Sequence, residues 1–196
     1  EVRLGLRVTE VDHGARRVRT HHGRAIAYGT LVCATGGRPR RLGCGGEDLA
    51  GVHYVRNLAD VDRMRAELES ASAIVVIGGG YIGLETAAVL GKQGKRVTVL
   101  EAQARVLARV AGETLARFFE AEHRARGVEV RLGAAVTSIE ARGGRACGVR
   151  LDDGDVVPAD LVIVGIGIDA AVEPLLAAGA EGEGGVLVDL HGKTSL

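Results

Sequence analysis

Ala73-Ile74-Val75-Val76-Ile77 runs directly into Gly78-Gly79-Gly80-Tyr81-Ile82-Gly83. The residues up to Ile77 are uniformly apolar, as a strand is when both faces of its sheet are covered. The glycines then break the strand. From Leu84 to about Gln93 the apolar residues Ala87, Ala88 and Leu90 fall at helical spacing, and Gly94 stops the run. Lys95 to Leu100 is a second strand, with Glu101 at its end. A strand, a glycine turn, a helix and a second strand make a βαβ unit, hence a parallel sheet and an α/β fold.

The spacing Gly78-x-Gly80-x-x-Gly83 has a physical job. The first glycine makes the tight strand-to-helix turn, the second leaves room for a pyrophosphate at the backbone, and the third lets helix and strand pack closely. Free N–H groups and the positive end of the helix dipole then face the phosphates. Glycine is frequent in this chain, with 30 residues, so the spacing alone is weak. The strand before it, the helix after it and an acid about 20 residues on complete the dinucleotide-binding fingerprint of a Rossmann-like domain. Glu101 accepts from ribose hydroxyls and repels a 2′-phosphate, which favours NAD over NADP. Arg105 and Arg109 follow it, and both also read as solvated loop charge. Gly165-Ile166-Gly167 ends a later apolar strand, Leu161–Val164, and reads either as a lining of the nicotinamide side or as a plain turn.

Upstream, the chain reads as a β-meander: Val2–Thr9, a turn at Val11–Gly14, Arg16–Thr20, a turn at His21–Gly23, then Ala25–Tyr28 and Leu31–Ala34. Asn57-Leu58-Ala59-Asp60 caps a helix running to about Leu68, with Val61, Met64 and Leu68 on one face. Downstream, Glu113–Arg126 reads as a helix with Leu115, Phe118 and Phe119 inward and Gly127 as its C-terminal stop. Val128–Leu132 is a strand. Val136–Ala141, Cys147–Leu151 and Val156–Ala159 form a second meander, and 186–189 one more short strand.

Composition narrows the function classes. Lys+Arg and Asp+Glu both number 25, so nothing resembles the one-sided charge of a nucleic-acid binder. The 3 cysteines are scattered and fit free thiols, not a disulfide framework or a metal site. No apolar run is long enough to span a bilayer. The expectation is a cytoplasmic protein with no metal, nucleic-acid or membrane partner.

Val75-Val76-Ile77-Gly78-Gly79-Gly80-Tyr81-Ile82-Gly83-Leu84-Glu85, with Val99-Leu100-Glu101 and Arg105–Arg109, resembles the NADH-dependent ferredoxin reductases of bacterial oxygenase systems, the putidaredoxin reductase and rhodocoxin reductase type. The likeness runs over nearly the whole chain. Leu31–Arg40 is similar to a second FAD-associated motif, Tyr54–Asp60 to the connector into the NAD domain, and Ala159–Gly167 to the return strand. The resemblance implies that NADH docks on Gly78, Gly79, Gly80, Tyr81, Ile82, Gly83, Glu101 and Arg109, with Gly165, Ile166 and Gly167 near the nicotinamide. It places Tyr81 and Glu85 where nicotinamide and flavin meet, as the catalytic pair. It puts Val8, Ala34, Thr35, Gly36 and Arg56 against FAD. Hydride passes to the flavin and electrons go on singly to a [2Fe–2S] ferredoxin.

The resemblance also implies a piece of a longer protein. Residues 52–168 are an NAD(H)-binding domain, while 1–45 and 169–196 are incomplete parts of an FAD-binding domain. The family's own opening glycine motif for FAD and its C-terminal domain are not among these residues, so the chain alone is expected to be inactive. Other members of the flavoprotein superfamily remain alternatives, namely an NADH oxidase, a nitrite reductase subunit or a disulfide reductase. So does a non-enzymatic NAD(H)-binding module.

Overall fold

The computed structural model describes residues 1–196. It divides into two units, one made of Glu1–Arg38 and Ile168–Leu196, the other of Pro39–Gly167.

In the first unit, β1 (Val8–Asp12), β2 (Arg17–Thr20) and β3 (Ala25–Ala27) form an antiparallel sheet in that order. The meander is present, but β1 begins and ends later than the alternation predicts. Val11, expected in a turn, lies in the strand opposite Val18, and both are buried. The reversal falls after Asp12, whose carboxylate accepts from the Ala15 N–H at 2.9 Å while Arg16 takes a φ of 49°. That local capture by an aspartate outcompetes the glycine at 14 as the pivot. Leu31–Ala34, expected as a strand, forms none: it lies along no ladder, and Val32 is 83% exposed. The strand forms instead at β4 (Gly37–Pro39).

The second unit contains β5 (Val52–Tyr54), α1 (Leu58–Leu68), β6 (Ala73–Ile77), α2 (Tyr81–Lys92) and β7 (Arg96–Glu101). After these come α3 (Glu113–Ala125), β8 (Glu129–Leu132), β9 (Val136–Arg142), β10 (Arg145–Leu151), β11 (Val156–Pro158) and β12 (Leu161–Val164). Its centre is a five-stranded parallel sheet in the order β5-β12-β6-β7-β8. Every residue of β6 is buried, and the period of 2 sends them to opposite faces. Ile74 and Val76 pack with Leu84, Ala87 and Leu90 of α2 and Ala116 of α3. Val75 and Ile77 pack with Ile139, Val149 and Val157 of the antiparallel sheet β11-β10-β9. Helices thus cover one face and a meander the other.

The helix starts follow local chemistry. At α1, Asn57 accepts from the Asp60 N–H and Asp60 accepts from the Asn57 N–H, a reciprocal capping box. α2 starts at Tyr81, earlier than the apolar periodicity predicts, because Gly83 occupies its packing face without contributing an apolar side chain. In α3 the sequence expectation fails in part. Leu115 and Phe118 are exposed, and the buried face carries Ala116, Glu120 and His123, with Phe119 half-buried. Spacing alone ranks phenylalanine above glutamate on a core face. Here hydrogen bonds reverse that order, since each buried polar group finds a partner.

The chain then returns to the first unit with β13 (Ile168–Ala170) and α4 (Glu173–Ala177), neither evident from periodicity. β13 pairs with β4, and a Cβ on Gly37 would lie only 2.6 Å from the Asp169 carbonyl oxygen, so glycine fits there without a shift of backbone. Residues 186–189, expected as a strand, form none. Leu187 and Val188 are exposed, and the Leu187 N–H donates to the Glu181 carbonyl across a local reversal at 2.8 Å.

Candidate functional site

The site lies at the carboxyl end of β6. The connection through α2 leads to β7 on one side of it, while β12 lies on the other, which is the topological switch point where open α/β sheets bind ligands. The glycines there have separable roles. Gly78 has a φ of 108°, and a Cβ on it would fall closer than 3.0 Å to the Gly165 carbonyl oxygen. A Cβ on Gly83 would collide with the Gly78 carbonyl oxygen and lie 3.2 Å from its carbon. Gly80 is the opposite case: nothing lies within 4 Å of its Cβ position, and its φ of −81° suits any residue. Gly78 and Gly83 are therefore demanded by the fold, and Gly80 is not.

Gly80 is also the N-cap of α2, where serine, threonine, aspartate or asparagine is locally preferred. No side chain caps this end, and no acidic residue stands in the first turn. The helix start and its dipole end are thus left without a side-chain or acidic partner, which fits an anionic group approaching the backbone.

Glu101 closes the other side. One carboxylate oxygen, Oε2, accepts from the Gly79 N–H at 2.7 Å, and Oε1 accepts from the Gln103 N–H at 2.8 Å. These bonds fix the carboxylate beside the turn and leave each oxygen a further lone pair for a hydroxyl donor. Arg105 does not face that space as a free cation: its guanidinium donates to the carbonyls of Ala108 and Ala111 at 3.0 and 2.8 Å. Arg109 is exposed in the turn that follows.

Gly165, Ile166 and Gly167 follow β12 and lie alongside. The Gly165 N–H donates to the Ile77 carbonyl at 2.8 Å, and Ile166 reaches to 3.4 Å of the Gly78 Cβ position. Tyr81 and Glu85, a turn apart, share the exposed side of the start of α2 with Ile82. These residues, Gly78–Gly83, Glu101 and Gly165–Gly167, are gathered within one unit. Arg56 belongs to the same unit, and its backbone N–H donates to Asp60. Val8, Ala34, Thr35 and Gly36 belong to the first unit. There the Thr35 hydroxyl donates to the Ala171 carbonyl at 2.6 Å, and Gly36 takes a φ of 66°. The first unit has no glycine turn leading into a long helix, and its α4 spans Glu173–Ala177 only. Its residues do not by themselves form a pyrophosphate cradle for FAD.

Some residues that shape the site carry no sequence signal. Leu107, buried and non-glycine, adopts a φ of 52° and donates its N–H to the Gly79 carbonyl at 2.9 Å. Val106 packs beneath Gly79, and its N–H donates to the buried Glu120 carboxylate. Glu120 gave no hint either, because periodicity points Leu115 and Phe118 inward and only the structure puts Glu120 on the buried face of α3.

The family described as pyridine nucleotide-disulphide oxidoreductase matches residues 1–196. A ferredoxin–NAD(P)(+) reductase from a Sphingomonas species is 56% identical over 193 residues, which are 98% of this chain and 47% of that protein. The crystal structure of the ferredoxin reductase for the CYP199A2 system of Rhodopseudomonas palustris superposes with a TM-score of 0.92 at 38% identity, covering 98% of this chain and 48% of that one. Putidaredoxin reductase, in its covalent complex with putidaredoxin, gives a TM-score of 0.88 at 39% identity, covering 97% and 47%. The chain thus spans about half the length of the curated relatives it matches. They include the ferredoxin reductases that its motifs resemble.

Proposed function

The chain belongs to the pyridine nucleotide-disulphide oxidoreductase family, and from that premise we propose that it is the NAD(H)-binding portion of an FAD-dependent NADH:ferredoxin reductase. One observation carries the reading. Between two glycines that packing requires stands a third, Gly80, that packing does not require, at an uncapped helix start beside a fixed carboxylate. The fold gains nothing from an uncapped glycine there; a pyrophosphate against the backbone needs it.

In this reading Pro39–Gly167 holds NADH, and the first unit belongs to the FAD-binding domain. Gly80 admits the pyrophosphate, and the N–H groups of the first turn of α2 bind it. Glu101 accepts from the ribose hydroxyls and disfavours a 2′-phosphate. Arg109 offers a cation at the rim. Gly165–Gly167 leave the nicotinamide face uncrowded. Tyr81 and Glu85, on the exposed side of α2, order the nicotinamide and shield it from water, while Val8, Ala34–Gly36 and Arg56 contact FAD. When bound, NADH would supply the two electrons and proton of a hydride, and FAD in the whole protein would supply the chemistry that passes those two electrons one at a time to a [2Fe–2S] ferredoxin, with the proton left to solvent. No helix is long and apolar enough to cross a membrane, and we place the protein in the cytoplasm.

The test is a calorimetric titration of the chain with NADH and with NADPH, wild type and Glu101→Ala. NADH is expected to bind at least tenfold more tightly than NADPH, a difference of about 1.4 kcal/mol, and Glu101→Ala to narrow that ratio. Equal affinities in the wild type, or a ratio untouched by the substitution, would refute the role of the acid. Binding of neither nucleotide by folded chain would refute the reading as a whole.

A further inference from the structure

We propose that Glu120, on α3 and outside the dinucleotide's reach, is a positioning residue that presets the glycine turn by holding the Val106–Leu107 corner against Gly79. The inference rests on the NADH reading above and deepens it.

Glu120 is 3% exposed. Its Oε1 accepts from the Val106 N–H at 3.1 Å. Arg117 holds the carboxylate from outside, with Nη1 at 2.9 Å from Oε2 and 3.2 Å from Oε1, and the Arg124 Nη1 lies 3.7 Å away. Burying a carboxylate is unfavourable unless its lone pairs are met. An apolar residue would fill this position on the core stripe at less cost, so the charge does something packing does not. What it grips is the residue before Leu107.

Leu107 sits in the left-handed region, which a branched side chain adopts only when its surroundings over-determine it. Here they do. Its carbonyl accepts from the Val110 and Ala111 N–H groups, both at 3.0 Å, and its own N–H donates to the Gly79 carbonyl at 2.9 Å. The Val106 side chain, wholly buried, comes within 3.0 Å of the Gly79 Cβ position. Gly79 is therefore gripped from two sides, by Glu101 through its N–H and by the Val106–Leu107 corner through its carbonyl. Gly79 immediately precedes Gly80, whose openness makes the site. Release of the corner frees the Gly79 peptide to rotate, and the turn must then be ordered at the expense of binding.

The experiment compares Glu120→Ala and Glu120→Gln with the wild-type chain. Three quantities are read: the NADH dissociation constant, the thermal midpoint, and amide hydrogen exchange by NMR at Gly79 and Leu107, with Ile74 and Val76 of β6 as internal controls. Loss of a hydrogen bond to a charged group predicts about tenfold weaker NADH binding in Glu120→Ala. It also predicts about tenfold faster exchange at Gly79 and Leu107, with β6 unchanged. Glu120→Gln keeps only a neutral acceptor for Val106 and is expected to fall between wild type and Glu120→Ala, with severalfold changes in both affinity and exchange. If Glu120→Ala does not fold, Glu120→Gln carries the test through a severalfold rise in exchange confined to Gly79 and Leu107. Uniformly faster exchange, or wild-type exchange and affinity in a folded variant, overturns the positioning role and leaves the NADH reading intact. A folded wild-type chain that binds no NADH overturns both.

Discussion

Gly83→Ala and Gly80→Ala are expected to fail in opposite ways, although each adds one methyl group to the same turn. At Gly83 the new Cβ would lie 3.2 Å from the Gly78 carbonyl carbon, closer still to its oxygen, and 3.4 Å from Val76 Cγ1. Backbone and a fully buried valine cannot swing aside, so α2 must back away from β6. Forcing a methyl group into a packed core costs about 1–3 kcal/mol, and the rigid carbonyl puts this case near the upper end. For a protein of this size that is a fall of roughly 6–10 °C in the thermal midpoint. At Gly80 nothing lies within 4 Å and the backbone conformation suits alanine, so stability should stay within about 0.5 kcal/mol of wild type. NADH binding should nonetheless weaken tenfold or more, because the methyl group occupies the space of the pyrophosphate. Calorimetric melts and NADH titrations on the two variants read both effects. A Gly80→Ala chain that binds NADH like wild type would refute the assignment of that space, and a Gly83→Ala chain that melts like wild type would refute the packing argument.

Asn57→Ala removes the acceptor half of the α1 capping box and should destabilise the chain by about 1 kcal/mol in urea unfolding; no change would mean the helix start is held by packing alone. Burial holds the His53 imidazole below its ordinary value, against the pull of Glu67 at 3.2 Å, a contact that is not aligned as a hydrogen bond. The folded state therefore favours neutral His53. Its contribution is fully present above the ordinary value of 6.5 and is lost as the pH falls through the lower folded-state value. The stability difference between wild type and His53→Gln should accordingly change across that window, and a difference constant with pH would contradict it. On α3, Phe118→Ser should cost no more than about 0.5 kcal/mol because the ring is exposed. Ala116→Leu, at a fully buried position, should cost about 1–3 kcal/mol; the reverse ranking would restore the face that periodicity alone predicts.

The glycine turn between β6 and α2 was legible because its constraints are local. An all-buried strand announces itself as an unbroken apolar run. A close approach of helix to strand announces itself as glycine, and a carboxylate at the next strand end has few other uses. The NAD-type fingerprint at Gly78–Gly83 and Glu101 therefore followed from composition and spacing, as did the order of the elements around it. What the sequence could not decide were choices between partners distant along the chain. Leu31–Ala34 and 186–189 have strand composition but no ladder to join, whereas Gly37–Pro39 and Ile168–Ala170 have little strand character and pair because they meet. The inward face of α3 was misjudged for the same reason. Hydrophobicity ranks Phe118 above Glu120, and only the Val106 N–H, brought there by the tertiary structure, makes the buried carboxylate favourable. Tertiary structure likewise separated the glycines: Gly78 is fixed by Gly165, just past a strand distant along the chain, and Gly83 by Gly78 itself. Gly80, alike in sequence, is left open because no distant part of the chain comes within 4 Å of its Cβ position.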